Sequence, residues 1–213
     1  MRNMNYEMTF FICHIENIIW RIRRNTPKDT VDVLSKINGS AKLSPIRFYA
    51  PGRAKRWDIG NMKIPVFEND DYRAAAALSM IEKTLEKSIF DRLASEADVL
   101  ARERGLIFTK GFAAGNPATP NIACTGNVGA ARSAPHWPMN AIKQNGEIDC
   151  ILYINLDAPS GQLASFEVAI HEIGHALGLG DHFKDFGDGR AAAYAFWPVL
   201  SQLYQLPIGY KYS

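Results

Sequence analysis

One stretch of twelve residues constrains this chain more than any other: His171-Glu172-Ile173-Gly174-His175-Ala176-Leu177-Gly178-Leu179-Gly180-Asp181-His182. It holds three of the five histidines in the sequence. Successive residues of an α-helix are 100° apart, so His175 lies about 40° around the axis from His171 and one turn along it. Both imidazoles can then point at a single metal ion. Glu172 falls between their neighbouring faces, close to such an ion without needing to bind it. Phe166, Ile170, Ile173 and Leu177 form the opposite stripe, so the helix has a packing face and a chemical face. In a chain of this composition H-E-x-x-H arises by chance only ~0.005 times, which sets aside a coincidental surface pair.

Gly178 sits seven residues after His171, where a continuing helix would carry a third side chain away. Glycine can adopt the left-handed conformation that ends a helix and turns the chain sharply. Asp181, ten residues after His171, can then approach the same ion. Two imidazoles and a carboxylate leave a fourth tetrahedral position open, the pattern of a catalytic zinc. His182 is the rival third ligand, reached if the loop is one residue longer. The following Asp185-Phe-Gly-Asp188-Gly lacks the alternating oxygen ligands and closing Glu of a calcium loop and reads as a flexible acidic turn.

The remainder of the chain must supply a core for this helix. With 213 residues, 47% of them hydrophobic, it is long enough for one domain. Met62 to Phe67 reads as a short strand. Asn69-Asp70-Asp71 offers capping side chains ahead of an Ala-rich stretch. A long helix is expected from there to Gly105, with Leu78, Ile81, Leu85, Ile89, Leu93 and Leu100 near one stripe. Leu106 to Phe112 reads as the next strand. The region from Ala113 to Gln144 reads as loops with short strands, Asn127-Val128-Gly129 among them. Asp149 to Asp157 is a nearly continuous apolar run, as in a strand buried on both faces. The metal helix is expected from about Ser165 to Leu177. This order of strands and helices gives a mixed α/β sandwich of one sheet and two helices, in the α+β class.

Residues 1–45 form a basic extension and residues 46–213 the main domain. Residues 1–65 carry 12 Lys/Arg against 5 Asp/Glu, and 66–213 carry 12 against 17. With no dense Arg/Lys run the basic part reads as a solvated face, not a nucleic-acid contact. Phe11, Ile15, Ile18 and Ile22 recur at helical spacing, as in a docked amphipathic helix. His14, Glu16 and Asn17 interrupt that stretch, so it is neither a usable signal peptide nor a membrane span. Three cysteines, Cys13, Cys124 and Cys150, allow one bridge at most, with Cys124 to Cys150 favoured because both fall in the acidic part.

The pattern H-E-x-x-H-x-x-G-x-x-D, continued by His182 and Phe183, resembles the metzincin zinc endopeptidases, and most of all their snapalysin group. The resemblance implies zinc held by His171, His175 and Asp181. Glu172 would be the general base that takes a proton from a zinc-activated water. It further implies an exported enzyme acting on protein or peptide substrates, and a single mostly parallel twisted sheet with one long helix and one active-site helix; the chain is expected to be a monomer. The order of elements from Trp57 onward fits loosely. One departure stands out: the family places a Met beneath the zinc, and the last Met here is Met139, upstream of the motif. Ala195-Phe196-Trp197-Pro198 is the nearest match to that turn, with Phe196 in the Met place. This altered floor and the unusual N-terminus keep a second reading open, a zinc-binding adhesion or partner-binding module without turnover.

Overall fold

The structure is a computed structural model, and it describes residues 30–37, 52–109, 125–129, 141–157 and 165–212. Its central feature is a five-stranded sheet built from β2 (Ile64–Phe67), β3 (Phe90–Arg92), β4 (Gly105–Thr109), β5 (Thr125–Gly129) and β7 (Ile151–Asn155). The spatial order is β3-β2-β4-β7-β5, and every neighbouring pair is parallel. Two short strands, β1 (Arg56–Trp57) and β6 (Glu147–Ile148), pair in parallel beside it. The expected mixed α/β architecture with a mostly parallel sheet is present, but with five helices and two small accessory sheets among the described residues where two helices and one sheet were expected.

Strand β7 shows why the sheet is buried on both faces. Its alternate residues enter separate cores: Leu152 and Ile154 join the main one, while Ile151 and Tyr153 join Val99 and Ile107 in a smaller one. Parallel strands require crossover connections, and helices fill them. Helix α2 (Tyr72–Leu85) links β2 to β3, and the short α3 (Glu96–Leu100) links β3 to β4. Helix α4 (Phe166–Ala176) follows β7 in sequence, packs over it and touches α2. Helix α5 (Phe196–Gln205) closes the main core with Phe196, Trp197, Val199, Leu200 and Leu203.

The single long helix expected up to Gly105 is instead broken into three pieces. Asp71 caps α2 as its residue type predicts, accepting from the backbone N–H groups of Arg73 and Ala74. The helix stops at Glu86, which takes a left-handed conformation at φ 52°. Glu82 then reaches past the end, and its carboxylate accepts the backbone N–H groups of Ile89 and Phe90, holding the chain extended as it enters β3. Ser95 starts α3 as a new cap. Apolar residues at helical spacing thus serve three elements, because capping and side-chain-to-backbone bonds override the period.

Helix α1 (Thr30–Ile37), which sequence periodicity did not indicate, lies within the stretch read as an extension. It packs on α5, and its Leu34 is fully buried in the main core. Among the described residues no helix is long and apolar enough to cross a membrane. The amphipathic segment around Phe11 to Ile22, the residues 42–51 and most of 113–144 lie outside the described residues, as do His14, His136, Cys13 and Cys124.

Candidate metal centre

Helix α4 begins at Ser165, whose hydroxyl accepts the N–H of Val168, and runs through both histidines of the motif. Gly178 ends it as expected, at φ 113°. The N–H of Gly178 donates to His175 O and that of Leu179 to Gly174 O, both at 3.0 Å. This is the paired 5→2 and 6→1 closure that a left-handed glycine permits. Two remaining carbonyls at this end are taken by distant side chains. The Trp57 indole N–H donates to Ala176 O at 2.8 Å, and the Tyr204 hydroxyl donates to Leu177 O at 3.1 Å. The helix is therefore fixed from β1 and from α5. Its chemical face is no more solvated than its packing face, for every residue from Ala169 to Ala176 is buried.

The turn after Gly178 directs the histidines as well as ending the helix. It brings Leu179 O back to His175 Nδ1, at 2.6 Å, while Ala191 O lies 2.8 Å from His171 Nδ1. A carbonyl can only accept, so each Nδ1 carries its ring's proton and donates it. In a neutral imidazole the other nitrogen, Nε2, is then a bare lone pair. The two Nε2 atoms face each other at 3.0 Å. Burial drives both rings toward the neutral form, lowering His171 to about 4 and His175 to about 3; the neighbouring His171 pushes His175 further the same way. Two buried lone pairs in contact with no proton between them repel, and a shared cation removes the conflict. The donor set fits a divalent metal ion with a preference for imidazole, zinc among them.

The third member of the group is His182. A ligand nitrogen from each of His171, His175 and His182 lies within 4.8 Å of the other two, and the His182 ring centroid is 5.0 Å from that of His171 and 5.3 Å from that of His175. Asp181, the residue that the motif spacing favours, stands outside this group. Leu179, between Gly178 and this residue, is buried in the core, and its carbonyl accepts from His175 Nδ1. Gly187 makes room for the ring: a Cβ there would sit 2.5 Å from His182 ring atoms, and the backbone has φ +74°. His182 is exposed, whereas His171 and His175 are 8% and 4% accessible, so the group opens toward solvent on the His182 side.

Glu172 is 5% accessible, and burial raises its carboxyl to about 8. Beneath the rings the structure differs from expectation. Phe196 begins a helix, whereas the motif comparison would put it in a turn, and the ring against the histidines is Phe186. The Phe186 centroid lies 4.5 Å from His171 and 4.8 Å from His175, and Phe196 stacks on Phe186 at 5.4 Å. The segment read as a flexible acidic turn thus carries a fully buried aromatic residue, held between short strands β8 (Phe183–Lys184) and β9 (Gly187–Asp188). Apart from Phe186 itself, flanked by acidic residues and glycine, nothing in that stretch marks it as a core element.

No family model, curated protein or solved structure matches the chain.

Proposed function

We propose that this protein is a zinc-dependent endopeptidase, with His171, His175 and His182 as the metal-holding residues and Glu172 as the general base. The observation that carries this reading is the pair of buried Nε2 lone pairs, 3.0 Å apart, on the same helix as the Glu172 carboxyl group. When bound, the ion supplies Lewis acidity toward a carbonyl oxygen and toward water.

The residues do the rest. Ala191 O and Leu179 O hold the imidazoles in the tautomer that offers Nε2. Glu172 accepts a proton from the attacking water and passes it to the leaving amine. Its raised pKa reflects burial alone, and a cation nearby returns the carboxyl toward its ionised, basic form. Helix α4 packs over β7 and β5, and β5 ends the sheet among the described residues, a position where an extended peptide can add as a further strand.

Glu172→Gln tests the assignment. The variant should retain one equivalent of zinc and lose peptide cleavage by at least ~10²-fold, the scale of general-base catalysis. Cleavage at the wild-type rate would refute it. The deep burial of Glu172 favours the alternative, a zinc-binding module without turnover, and zinc uptake with no cleavage by the wild-type chain would establish that one.

A further inference from the structure

We propose that Phe186 is a positioning residue for the metal ligands, setting the orientation of the histidine rings and so the affinity and coordination geometry of the site. This rests on the metal-holding role of His171, His175 and His182 argued above. Phe186 is fully buried and is in ring contact with all three: its centroid lies 4.5 Å from His171, 4.8 Å from His175 and 6.0 Å from His182. A hydrogen bond on Nδ1 fixes each helical imidazole at one point but leaves the ring free to rock about that bond. A rigid apolar surface against the ring removes this freedom, and it keeps water from the inner side of the ligands.

Phe186 is itself held firmly enough to do so. Its N–H donates to Phe183 O at 2.8 Å, and its carbonyl accepts from Phe183 N at 3.0 Å. The Phe183 ring lies 5.2 Å away, and Phe196 stacks on it with an interplanar angle of 20°. The helix has no side chain where these rings press against it: a Cβ at Gly174 would meet both Phe186 and Phe196 at 2.8 Å. The same loop delivers Ala191 O to His171 Nδ1. It is tied to the first turn of α4 by the Arg190–Glu167 ion pair, and its Asp185 accepts the N–H of Ala193 on its carbonyl and that of Ala195 on its carboxylate. One loop thus carries a ligand, His182, together with the two groups that orient His171.

The test compares Phe186→Leu with Phe196→Leu in the full chain. Both remove a fully buried ring from the same stack, but only Phe186 has ring contacts with the histidines. The measurements are the zinc dissociation constant by chelator competition and the visible absorption spectrum of the cobalt(II)-loaded protein, which reports coordination geometry. Phe186→Leu should weaken zinc binding about 10- to 100-fold, the range found for outer-shell partners, and alter the cobalt spectrum. Phe196→Leu should leave both close to wild type, and Phe186→Met, which restores an apolar contact of similar reach, should recover most of the affinity. Wild-type affinity and spectrum in a folded Phe186→Leu protein would overturn the proposal, as would equal changes in the Phe196→Leu protein. A wild-type chain that takes up neither ion would overturn the metal reading, and this proposal with it. If Phe186→Leu does not fold, Phe186→Ile is read in the same way: weaker zinc binding with an altered cobalt spectrum supports the proposal, and wild-type values contradict it.

Discussion

The indole N–H of Trp57 donates to the carbonyl oxygen of Ala176, 119 residues away in sequence, in a fully buried hydrogen bond of 2.8 Å. It joins β1 to the last turn of the helix that bears His171 and His175, and the Arg104 guanidinium lies over the indole ring, 5.5 Å from its centroid. Trp57→Phe removes the donor, strands a buried carbonyl and shrinks a packed ring. The expected loss is about 2–4 kcal/mol in urea unfolding, with reduced zinc affinity. A change below about 0.5 kcal/mol would mean that the bond does not hold the helix.

The third ligand is tested by paired substitutions. His182→Ala should reduce zinc affinity by more than the ~10–100-fold that loss of an outer partner costs. Asp181→Asn should leave affinity within a few fold. Gly187→Ala should mimic the histidine variant in part, since its Cβ would collide with the His182 ring. Isothermal titration with zinc reads all three, and the reverse ranking of His182 and Asp181 would restore the carboxylate as ligand.

Stability of the metal-free protein should depend on pH with opposite signs on its two limbs. The pKa values of His171 and His175 fall from near 6.5 unfolded to about 4 and about 3 folded. The unfolded chain therefore binds more protons, and the stability these groups contribute is present above pH 6.5 and lost as pH falls through 4 to 3. The limiting slope is about 1.4 kcal/mol per pH unit for each histidine. Glu172 has the opposite sign. Its pKa rises from 4.5 unfolded to about 8 folded, so its contribution is present below pH 4.5 and lost as pH climbs toward 8. The urea midpoint in chelator should peak near pH 6.5. Zinc should flatten the alkaline limb by holding the Glu172 carboxylate, and steepen the acid limb as protons compete for the histidines. A midpoint that rises steadily from pH 6.5 to 8 in chelator would contradict this account of Glu172.

Gly174→Ala probes the packing beneath the site. The new methyl group would press into Phe186 and Phe196 from 2.8 Å, and overpacking of this kind costs about 1–3 kcal/mol. An equally stable variant, by thermal unfolding with and without zinc, would show that the aromatic stack can give way.

The metal helix was legible because its signals are local and agree with one another. Ser165 caps it, His171 and His175 share a face at i and i+4, and Gly178 stops it in the left-handed conformation. Strands β2 and β7 and the Asp71 cap of α2 were legible on the same grounds. What was not legible depends on residues far apart in sequence. Leu78 to Leu100 keeps a helical spacing, yet the Glu82 carboxylate bonds Ile89 and Phe90 and converts the middle of that stretch into an edge strand. Spacing put Asp181 in the ligand position, whereas the grouping of the His182 ring with those of His171 and His175 depends on the space left by Gly187, five residues on. Phe186 sits in a stretch whose composition reads as a solvated turn, and its place emerges only from its stack on Phe196 and its ring contacts with the distant helical histidines.

Peptide-library cleavage by the full chain, before and after chelation and with zinc restored, decides whether the histidine centre is catalytic. The proposed zinc endopeptidase should show internal peptide-bond cleavage that chelator abolishes and one equivalent of zinc recovers. A chain that binds that equivalent at His171, His175 and His182 and cleaves nothing in the library would contradict it.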